Sequence, residues 1–406
     1  MKTIFIFAYY SYKDPVFQSA VLPYFVDFPN KEAFRFILIT FEQKKYRTNK
    51  QERRDIDAFL KKQNIQWYNV NWHSGRFKLI KKAYDFTVGM LLSSWIIIRH
   101  QVDIIYSEAF PGAIITHILS RIFRKPHMIH SFEPHTEYMV EGGVWASSSW
   151  EARLLGRFEK VIARKASVIM TATRAMIERF KKEGVTSTII RVPSCVDIQH
   201  FQYMPDARQQ IRSQLGITDS ECVIVCIGKM GGMYWQEEIF AFFRACLVQD
   251  SRFRFLFYTP DEQEKICNYA EQYQISKDRL SIGFLRREQV PAHLSAADFG
   301  LVHVHQYPSK RFCSPIKDGE YWACGLPIII PKGVSDDFKF AEEEQIGFVL
   351  DGSTEKSFST VAQQLLSVWQ DKTAYASMRE RCRKFVEADR NVARYQEIYR
   401  NTFLKN

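Results

Sequence analysis

The sequence predicts an α/β protein built from two doubly wound domains, each with a parallel sheet. The first observation behind this prediction is the length, because 406 residues exceed one ordinary core and suit two domains of roughly 200 residues. The second is an alternation of short apolar runs with stretches long enough for helices, which is typical of parallel strands and crossover helices. The third is that this alternation occurs in both halves of the chain. With 46% apolar and 25% charged residues, each half can bury a core.

The apolar runs define the predicted strands. In the first half they lie at residues 3–8, 34–40, 103–107, 127–131 and 167–172, and in the second half at 222–228, 254–259, 280–284, 298–304, 326–330 and 347–350. A domain boundary is expected within the segment VPSCVDIQHF, where a strand-like run meets a proline and an irregular stretch. The predicted domains are therefore residues 1–195 and 205–389.

The cysteines and the apolar stretches restrict the class of protein. All eight cysteines lie from Cys195 onward, and Cys222 and Cys226 interrupt an apolar run, which indicates small buried residues in a reducing compartment. No Cys/His group has metal-ligand spacing. The apolar start at residues 3–10 fits a buried strand better than a signal peptide, and the longest apolar run, 86–98, is shorter than the roughly 20 residues that span a bilayer. We therefore expect a cytoplasmic protein without a transmembrane helix.

The net positive charge of the chain comes from its first half. Residues 1–200 hold 30 Lys and Arg against 18 Asp and Glu, whereas the remainder holds 26 against 27. This asymmetry indicates either an anionic partner, such as a membrane surface, a lipid pyrophosphate, an acidic glycan or a nucleic acid, or simply a solvated basic face. The basic run at 44–62 is by default a solvated helix. Its functional interpretation is docking on anionic lipid, at roughly 1 kcal/mol per basic residue.

A strand, a glycine-containing segment and a helix follow one another at residues 222–248. Lys229, Gly231 and Gly232 lie between the strand CVIVCIG and the helical pattern QEEIFAFFRACL. Glycines in this position let backbone N–H groups approach phosphate oxygens, and the helix dipole adds about 0.3 to 1 kcal/mol. The spacing does not match the dinucleotide fingerprint G-x-G-x-x-G. The segment is a predicted diphosphate cradle or, alternatively, an ordinary strand-to-helix turn.

Residues 312–330, FCSPIKDGEYWACGLPIII, frame one short helix between a Ser-Pro start and a Gly-Leu-Pro stop. Lys317 and Glu320 are three residues apart and share a face of that helix. A cation there can neutralise a departing diphosphate, and the carboxylate can accept hydrogen bonds from ribose hydroxyls. The alternative is a surface ion pair worth about 0.2 to 0.5 kcal/mol, and the framing of the helix argues against it.

The segment SPIKDGEYWACGLPIII strongly resembles the donor-site helix of family-4-like glycosyltransferases (glycosyl transferases group 1), which have the GT-B fold. VPSCVDIQHF at 192–201, IGKMGGMYW at 227–235 and QVPAHLSAADFGLVHV at 289–304 are similar, in the same order, to further landmarks of that family. The resemblance is clear over about 190–350 and weaker before it. It implies two Rossmann-like domains facing each other across a cleft, with the acceptor bound by the first, the nucleotide-sugar bound by the second, and a last helix at about 390–406 returning to the first.

The resemblance also implies roles for individual residues. Lys317 and the 231–232 loop would hold the donor diphosphate, Glu320 the ribose, and the backbone near 283–286 the base. The implied donor-binding residues are Gly231, Gly232, Lys229, Ser314, Pro315, Gly319 and Arg286. The reaction would proceed with retention at the anomeric carbon and without an essential metal or other cofactor, and the diphosphate oxygen itself would receive the acceptor proton.

Three departures from the family pattern bear on this assignment. Phe312 stands eight positions before Glu320, where the commoner motif has a second glutamate, so the usual carboxylate contact to the donor sugar is absent. Tyr234 stands five positions after Lys229, where a lysine is common, which places more of the phosphate neutralisation on Lys317. The interdomain Asn-Gly is replaced by Ser194-Cys195, which alters the turn.

Candidate acceptor-side residues follow the strand-like run at 127–131. His135, Glu137 and Glu141 resemble the family's acceptor-side loop, in which a histidine contacts sugar hydroxyls near the reacting carbon, and His135 is therefore a candidate catalytic residue. The simpler interpretation is a hydrogen-bonded loop. The D-x-D string at residues 55–57 is a signature of metal-dependent transferases, but it lies in a basic helical stretch rather than after a strand, and we discount it.

The sequence thus predicts a retaining glycosyltransferase that moves a sugar from a nucleotide-diphosphate sugar to a glycan or lipid-linked acceptor, in surface polysaccharide or glycoconjugate biosynthesis. The enzyme would be cytoplasmic, in peripheral contact with the anionic inner face of the plasma membrane. One alternative is a nucleotide-sugar epimerase of related fold. Another is a non-catalytic basic protein that binds nucleic acid, although the chain has no recognisable helix-turn-helix, zinc or aromatic RNA-binding motif. We expect no nucleic-acid partner.

Overall fold

The structure of the protein is a computed structural model that describes residues 1–73 and 78–406. The chain divides into two units. Unit 1 comprises residues 1–193 and 392–406, and unit 2 comprises residues 194–391.

Unit 1 contains a parallel sheet of seven strands in the order β3-β2-β1-β4-β5-β6-β7. The strands are β1 (Lys2–Ala8), β2 (Phe34–Glu42), β3 (Ile65–Asn71), β4 (Ile104–Glu108), β5 (His127–Ser131), β6 (Val168–Thr171) and β7 (Thr188–Arg191). The five strands predicted in this half are all confirmed. The sequence missed β3 and β7, which are the two edge strands. Each is exposed enough to carry polar residues among its apolar ones, so neither forms a continuous apolar run.

Eight α-helices accompany this sheet within the described residues: α1 (Pro15–Ala20), α2 (Lys50–Lys62), α3 (Lys78–Arg99), α4 (Ala109–Phe123), α5 (His135–Glu141), α6 (Trp150–Lys165), α7 (Arg174–Lys182) and α16 (Val392–Lys405). α2 begins at a capping box, in which Asn49 and Glu52 each accept a hydrogen bond from the other's backbone N–H. No helix within 1–73 or 78–406 combines the length and the apolar character that crossing a membrane requires.

The two faces of this sheet are covered by different helices. Phe5 and Phe7 of β1 belong to the apolar cluster that includes side chains of α3 and α4. On the other face, the Phe403 ring of α16 lies 6.3 Å from that of Phe36 and 6.2 Å from that of Tyr106. The last helix of the chain is therefore part of the core of unit 1.

Unit 2 contains a parallel sheet of six strands in the order β10-β9-β8-β11-β12-β13. The strands are β8 (Cys222–Ile227), β9 (Phe253–Tyr258), β10 (Leu280–Gly283), β11 (Phe299–Leu301), β12 (Ile328–Pro331) and β13 (Gly347–Leu350). All six predicted strands are confirmed, although β11 is shorter than the predicted run 298–304. The strand order reverses between β8 and β11. Ligands of open α/β sheets bind at such a switch point, beside the carboxyl ends of the strands.

The sheet of unit 2 is buried on both faces by the helices α8 (Pro205–Gln214), α9 (Glu237–Gln249), α10 (Gln263–Gln272), α11 (Val290–Ala296), α12 (Ile316–Ala323), α13 (Asp337–Glu343), α14 (Glu355–Gln370) and α15 (Lys372–Asp389). Cys222, Ile224 and Cys226 of β8 belong to one apolar cluster, with side chains of α9 and α14. Val223 and Val225 belong to a second, with side chains of α11, α12 and α15. Alternate residues of a strand point to opposite faces, so a strand covered on both faces reads as one apolar run. The prediction of buried cysteines at 222 and 226 is confirmed.

Candidate active site

The aromatic ring of Tyr321, a residue of α12, is buried next to the switch point of unit 2. The Tyr321 hydroxyl accepts a hydrogen bond from the backbone N–H of Ile227, at the carboxyl end of β8, at 3.1 Å. The ring lies directly on β11, because a Cβ at Gly300 would be 2.5 Å from a ring carbon. The absence of a side chain at Gly300 therefore lets α12 lie at the edge of the sheet where a ligand is expected. This helix carries Lys317 and Glu320.

Lys317 and Glu320 pair with each other. The Lys317 ammonium lies 2.6 Å from Glu320 Oε2, and the Glu320 side chain is buried at 4% exposure while that of Lys317 is 38% exposed. From the sequence, this pairing was considered only as a surface ion pair. The pair nevertheless differs from the surface pair that the sequence left as the alternative, because the carboxylate is withdrawn from water. A buried carboxylate next to a half-exposed cation can meet a ligand that brings both hydroxyls and an anion.

Arg287 is a second cation at this carboxylate, and the sequence analysis missed it. Its guanidinium lies 4.0 Å from Glu320 Oε1 and 5.5 Å from the centre of the Phe201 ring. The predicted donor residue is the preceding one, Arg286, which is exposed and whose backbone N–H donates to Gln289 Oε1 at 3.0 Å. The Arg-Arg string signals a basic site, but which of the two arginines turns toward Glu320 depends on the backbone of the segment.

The glycine loop, residues 228–236, joins β8 to α9 and is too long for a tight turn. Most of its backbone groups are already bonded. The Gly231 N–H donates to the Trp235 carbonyl at 3.3 Å, and the Met230 N–H donates to the Asp261 carboxylate at 2.6 Å. Among the described residues the Gly232 N–H has no hydrogen-bond partner. The predicted phosphate cradle therefore has fewer free backbone N–H groups than expected, and Gly232 rather than Gly231 offers a hydrogen-bond donor to a phosphate.

Lys229 is the exposed cation of the same loop. Its ammonium lies 5.6 Å from the centre of the Tyr234 ring, the residue found where the resemblance leads one to expect a second lysine. Tyr234 also forms an isolated antiparallel bridge with Val304, and the Trp235 N–H donates to the His303 carbonyl at 2.8 Å. These bonds explain why β11 ends before residue 304, since the chain there pairs with the glycine loop instead of continuing in the sheet.

His303 fixes the start of the glycine loop. Its Nε2 lies 3.0 Å from the Lys229 carbonyl oxygen and its Nδ1 lies 3.3 Å from the Cys226 sulfur. Burial lowers the pKa of His303 to about 4, so the imidazole is neutral at pH 7. His303 was not predicted as a site residue, although it lies in the segment 289–304.

Replacing Gly228 by alanine should destabilise the chain by about 2 kcal/mol or more. Gly228 has a φ of +146°, and an added Cβ would lie 2.9 Å from the His303 ring, so backbone strain and a steric clash add together. Gly232→Ala is the matched control, because its φ of +66° is also positive but no atom lies within 4 Å of the added Cβ. Urea unfolding of both variants tests this, and an equal loss in the two would contradict the clash with His303.

Ser314 and Gly319 hold α12 in place rather than facing outward. Ser314 Oγ accepts hydrogen bonds from the Ser194 N–H at 3.1 Å and from the Arg390 guanidinium at 2.6 Å. Gly319 is buried, and a Cβ there would lie 3.7 Å from Val196. This corrects the expectation that Gly319 contacts the donor. Pro315, the cap residue of α12, provides no side-chain hydrogen bond to the first turn, so the helix N-terminus keeps its backbone donors for another partner.

A buried charge cluster lies beneath the N-terminus of α12. Arg390 forms an ion pair with Asp337 of α13, and both side chains are at most 1% exposed. The neighbouring carboxyl of Asp318 on α12 is also fully buried, and neither of its oxygens has a hydrogen-bond partner. Burial, together with the Asp337 carboxylate, raises the pKa of Asp318 well above its usual range. A proton on Asp318 gives it a donor toward Asp337, whose second oxygen is otherwise unpaired.

The candidate acceptor-side residues lie in unit 1 on α5. Burial lowers the pKa of His135 to about 4, so its ring is neutral, and it lies 5.8 Å from the Trp145 ring. Glu137 accepts two hydrogen bonds from the Arg179 guanidinium, at 2.8 and 2.5 Å. Glu137 lines two cavities of about 260 and 240 Å³, and Glu141 lines the smaller one.

Glu159 of α6 lines the larger cavity and was not predicted. One of its oxygens accepts hydrogen bonds from the Thr136 N–H at 2.9 Å and the Thr136 hydroxyl at 2.8 Å. Burial raises its pKa to about 7. The cavity thus offers carboxyl and guanidinium groups, which are chemically suited to sugar hydroxyls.

The D-x-D string lies on the exposed helix α2, in agreement with the decision to discount it. Asp57 pairs with Arg53 at 2.9 Å, and Asp55 accepts a hydrogen bond from Gln51 at 2.9 Å. In the ranges 1–73 and 78–406, no group of three or more His, Cys, Asp or Glu side chains is arranged to hold a metal ion.

Comparisons with known proteins agree with this architecture. Residues 248–397 match the model of the family described as Glucosyltransferase 3-like, C-terminal domain. No curated protein sequence matches the chain. Among solved structures, HepE from Anabaena in complex with UDP-glucose is similar at a TM-score of 0.72 and 14% identity, over 99% of this chain and 100% of that one.

Two further structures cover the chain to the same extent. Sucrose-phosphate synthase from Thermosynechococcus elongatus has a TM-score of 0.70 at 14% identity, over 100% of both chains. A glycosyltransferase from Rickettsia africae has a TM-score of 0.71 at 12% identity, over 100% of this chain and 99% of that one. The chain thus shares the GT-B fold with these structures over its whole length, and its residues 248–397 match a glucosyltransferase 3-like domain.

Proposed function

We propose that the chain transfers a sugar from a UDP-sugar, with UDP-glucose as the first candidate, to a hydroxyl of a glycan or lipid-linked acceptor. The single observation that carries this proposal is the buried Glu320 carboxylate paired with the half-exposed Lys317 on α12, beside the switch point of unit 2. The family match at residues 248–397 and the UDP-glucose complex of HepE support the choice of donor.

In the proposed complex, the two members of the ion pair separate to take different parts of the donor. Glu320 accepts hydrogen bonds from the ribose hydroxyls, and Arg287, 4.0 Å from its other oxygen, orients the carboxylate. Lys317 turns to the diphosphate, joined by the uncapped N-terminus of α12 and the N–H of Gly232. The exchange is favourable because the Lys317 ammonium leaves the singly charged Glu320 carboxylate for a diphosphate that carries more negative charge.

The proposed reaction breaks the bond between the anomeric carbon and the diphosphate oxygen, which leaves with the electron pair. The acceptor oxygen forms its bond on the same face, so the configuration is retained, and the departing diphosphate oxygen takes the acceptor proton. Lys317 stabilises the charge that develops on that oxygen. No residue of the chain has to act as a general acid, and no metal ion is required.

The acceptor assignment rests on unit 1, which carries the excess positive charge. In support of this assignment, Glu137, Glu159 and Arg179 line the larger cavity beside α5, and such groups can bind sugar hydroxyls or an anionic group of the acceptor. His135 is proposed to contact the reacting sugar as a neutral hydrogen-bonding group, since burial lowers its pKa to about 4. A lipid-linked acceptor would place the enzyme in surface polysaccharide or glycoconjugate synthesis.

Glu320→Ala should weaken UDP-sugar binding on the order of 10- to 100-fold, because a charged acceptor for the ribose hydroxyls is lost. Titration calorimetry and thermal shift with UDP-, GDP-, ADP-, TDP- and CMP-sugars, each with and without magnesium, measure this. A donor at about 100 times its dissociation constant adds roughly 2.7 kcal/mol to the stability of the native chain. Binding of UDP-glucose in the presence of a chelator is the expected result.

The matched control is Glu221→Ala. Glu221 is also a buried carboxylate of unit 2 paired with two cations, Arg254 at 3.4 Å and Arg279 at 2.9 Å, but it precedes β8 and so lies at the opposite edge of the sheet. It should lose stability without losing donor affinity. The proposal fails if no nucleotide-sugar binds, or if the two variants lose affinity equally. Conversion of the donor without any acceptor would indicate an epimerase.

A further inference from the structure

Three neighbouring helices of unit 1 present apolar side chains to solvent. α3 contacts α4, and α4 contacts α6. Of the twenty exposed large apolar side chains in the described residues, eleven lie on these helices: Ile80, Tyr84, Leu91, Trp95, Ile98, Ile118, Ile122, Trp150, Leu154, Phe158 and Val161. We refer to this set as the α3–α4–α6 surface.

On each helix these residues form a single stripe. At 100° per residue, the five on α3 fall within about 60° around the helix axis, and the four on α6 within about 80°. The stripes are not the sides that pack on the sheet, because Ile96, Leu119 and Ile162 of the same helices are buried at 0 to 1% exposure, whereas Ile98 is 67% exposed and Trp150 is 59% exposed. Contiguous apolar surface of this kind marks an interaction site.

The charges beside the stripes are basic. On α6 a second stripe runs alongside the apolar one and consists of exposed cations at three- or four-residue spacing: Arg153, Arg157, Lys160 and Arg164. α3 and α4 add the exposed residues Lys82, Arg99 and Arg121. None of the acidic residues of these helices is exposed, since Asp85 is buried and Glu151 and Glu159 are half-buried. An apolar stripe beside cations is the pattern of helices that lie in the headgroup region of an anionic bilayer.

We propose that unit 1 binds the surface of an anionic phospholipid bilayer through the α3–α4–α6 surface. The apolar side chains enter the boundary between headgroups and acyl chains, and the cations of α6 contact lipid phosphates. Donor binding belongs to unit 2, so this proposal and the proposed function fail or hold independently. A lipid-linked acceptor would then be approached from the bilayer on which unit 1 lies.

This surface replaces the one predicted from the sequence. Most of the basic run at 44–62 forms α2. This helix packs on Trp67, and the Arg53 guanidinium lies 3.6 Å from the centre of the Trp67 ring. Trp67 and Val70 of β3 are three residues apart and point to opposite faces of the sheet, and Val70 belongs to the cluster with α3 and α4. α2 therefore lies on the other face, where Phe59 is its one exposed large apolar residue within the described part of the chain.

Sedimentation of the full chain with vesicles tests the proposal. The native chain should bind vesicles of phosphatidylglycerol and phosphatidylethanolamine at low salt, and bind phosphatidylcholine vesicles at least tenfold more weakly. Arg157→Gln with Lys160→Gln should lower the partition coefficient about thirtyfold, from roughly 1 kcal/mol for each basic residue. Leu154→Gln with Phe158→Gln should lower it on the order of tenfold or more.

Matched variants on α2 separate the two surfaces. Lys61→Gln with Lys62→Gln, and Phe59→Gln alone, should leave vesicle binding unchanged, and every variant should keep its calorimetric donor affinity. The proposal is overturned if the native chain does not sediment with anionic vesicles, if the α2 variants lose as much binding as the α6 variants, or if the α6 variants instead convert a dimer of the chain to a monomer.

Discussion

Lys317→Ala is expected to lower turnover about a hundredfold, the scale for losing one preorganised charge at a developing anion. The structure adds a second consequence, because Lys317 lies 2.6 Å from the buried Glu320 carboxylate. Removing the ammonium leaves Arg287, 4.0 Å from the other oxygen, as the remaining cation at that carboxylate within the described residues. Steady-state kinetics with saturating UDP-glucose and a glycan or lipid-linked acceptor that supports turnover of the native chain measure the loss, which should fall mainly on kcat.

The control for this variant is Lys332→Ala. Lys332 also pairs with a carboxylate of unit 2, Asp351 at 2.7 Å, but both side chains are exposed, and their pair is not at the switch point. Its turnover should match that of the native chain. A stable Lys317→Ala enzyme with native turnover would refute the assigned role, and Lys317→Arg with partial activity would support charge rather than shape as the requirement.

Arg390→Met is expected to destabilise unit 2 by roughly 3 to 5 kcal/mol, because it leaves the buried Asp337 carboxylate without its cation. The same change removes the hydrogen bond from Arg390 to Ser314, which precedes α12. Guanidinium unfolding followed by circular dichroism measures the loss. Lys384→Met, which removes an exposed pair with Glu380 on the same helix, should leave stability essentially unchanged. Similar losses in both variants would contradict the importance of the buried cluster.

Asp318→Asn should be tolerated, in contrast to Arg390→Met, because burial and the Asp337 carboxylate already favour the neutral form of Asp318. The raised pKa of Asp318 determines the direction in which stability changes with pH. In the unfolded chain Asp318 ionises near its ordinary value, about 4, whereas in the folded chain it keeps its proton to higher pH. The contribution of Asp318 to the free energy of unfolding is therefore complete below about pH 4, and it is lost as pH rises toward the pKa of Asp318 in the folded chain. Stability of Asp318→Asn should decline less between pH 4 and 8 than that of the native chain.

The strands show how much of the fold the local sequence pattern predicts. All eleven predicted apolar runs are strands, because a parallel strand covered on both faces needs apolar residues at every position. The two missed strands, β3 and β7, lie at the edges of the sheet of unit 1, where one side of the strand has no partner and polar residues are tolerated. Edge strands carry too few apolar residues in sequence to be recognised without the neighbouring strand.

In the candidate site, too, some features follow from the local sequence and others depend on the fold. The common face of Lys317 and Glu320 follows from helical spacing alone, and the structure places them 2.6 Å apart. Three other features depended on the fold. Glu320 is buried, Arg287 rather than Arg286 approaches it, and the Gly231 N–H donates to the Trp235 carbonyl. A surface Lys317–Glu320 pair was set aside on the framing of the helix, and the burial of Glu320 cannot be read from a three-residue spacing.

By itself, the sequence determined the alternation of elements, the short helix that carries Lys317 and Glu320, and the excess of positive charge in the first half. Only the tertiary structure decided which charges meet and where the apolar surface lies. Arg390 reaches Asp337 and Ser314 across 53 and 76 residues, and the stripes of α3, α4 and α6 become one surface because β4, β5 and β6 are neighbours in the sheet. Periodicity fixes which side of a helix is apolar, but a contact between distant residues exists only once strand order brings their elements together.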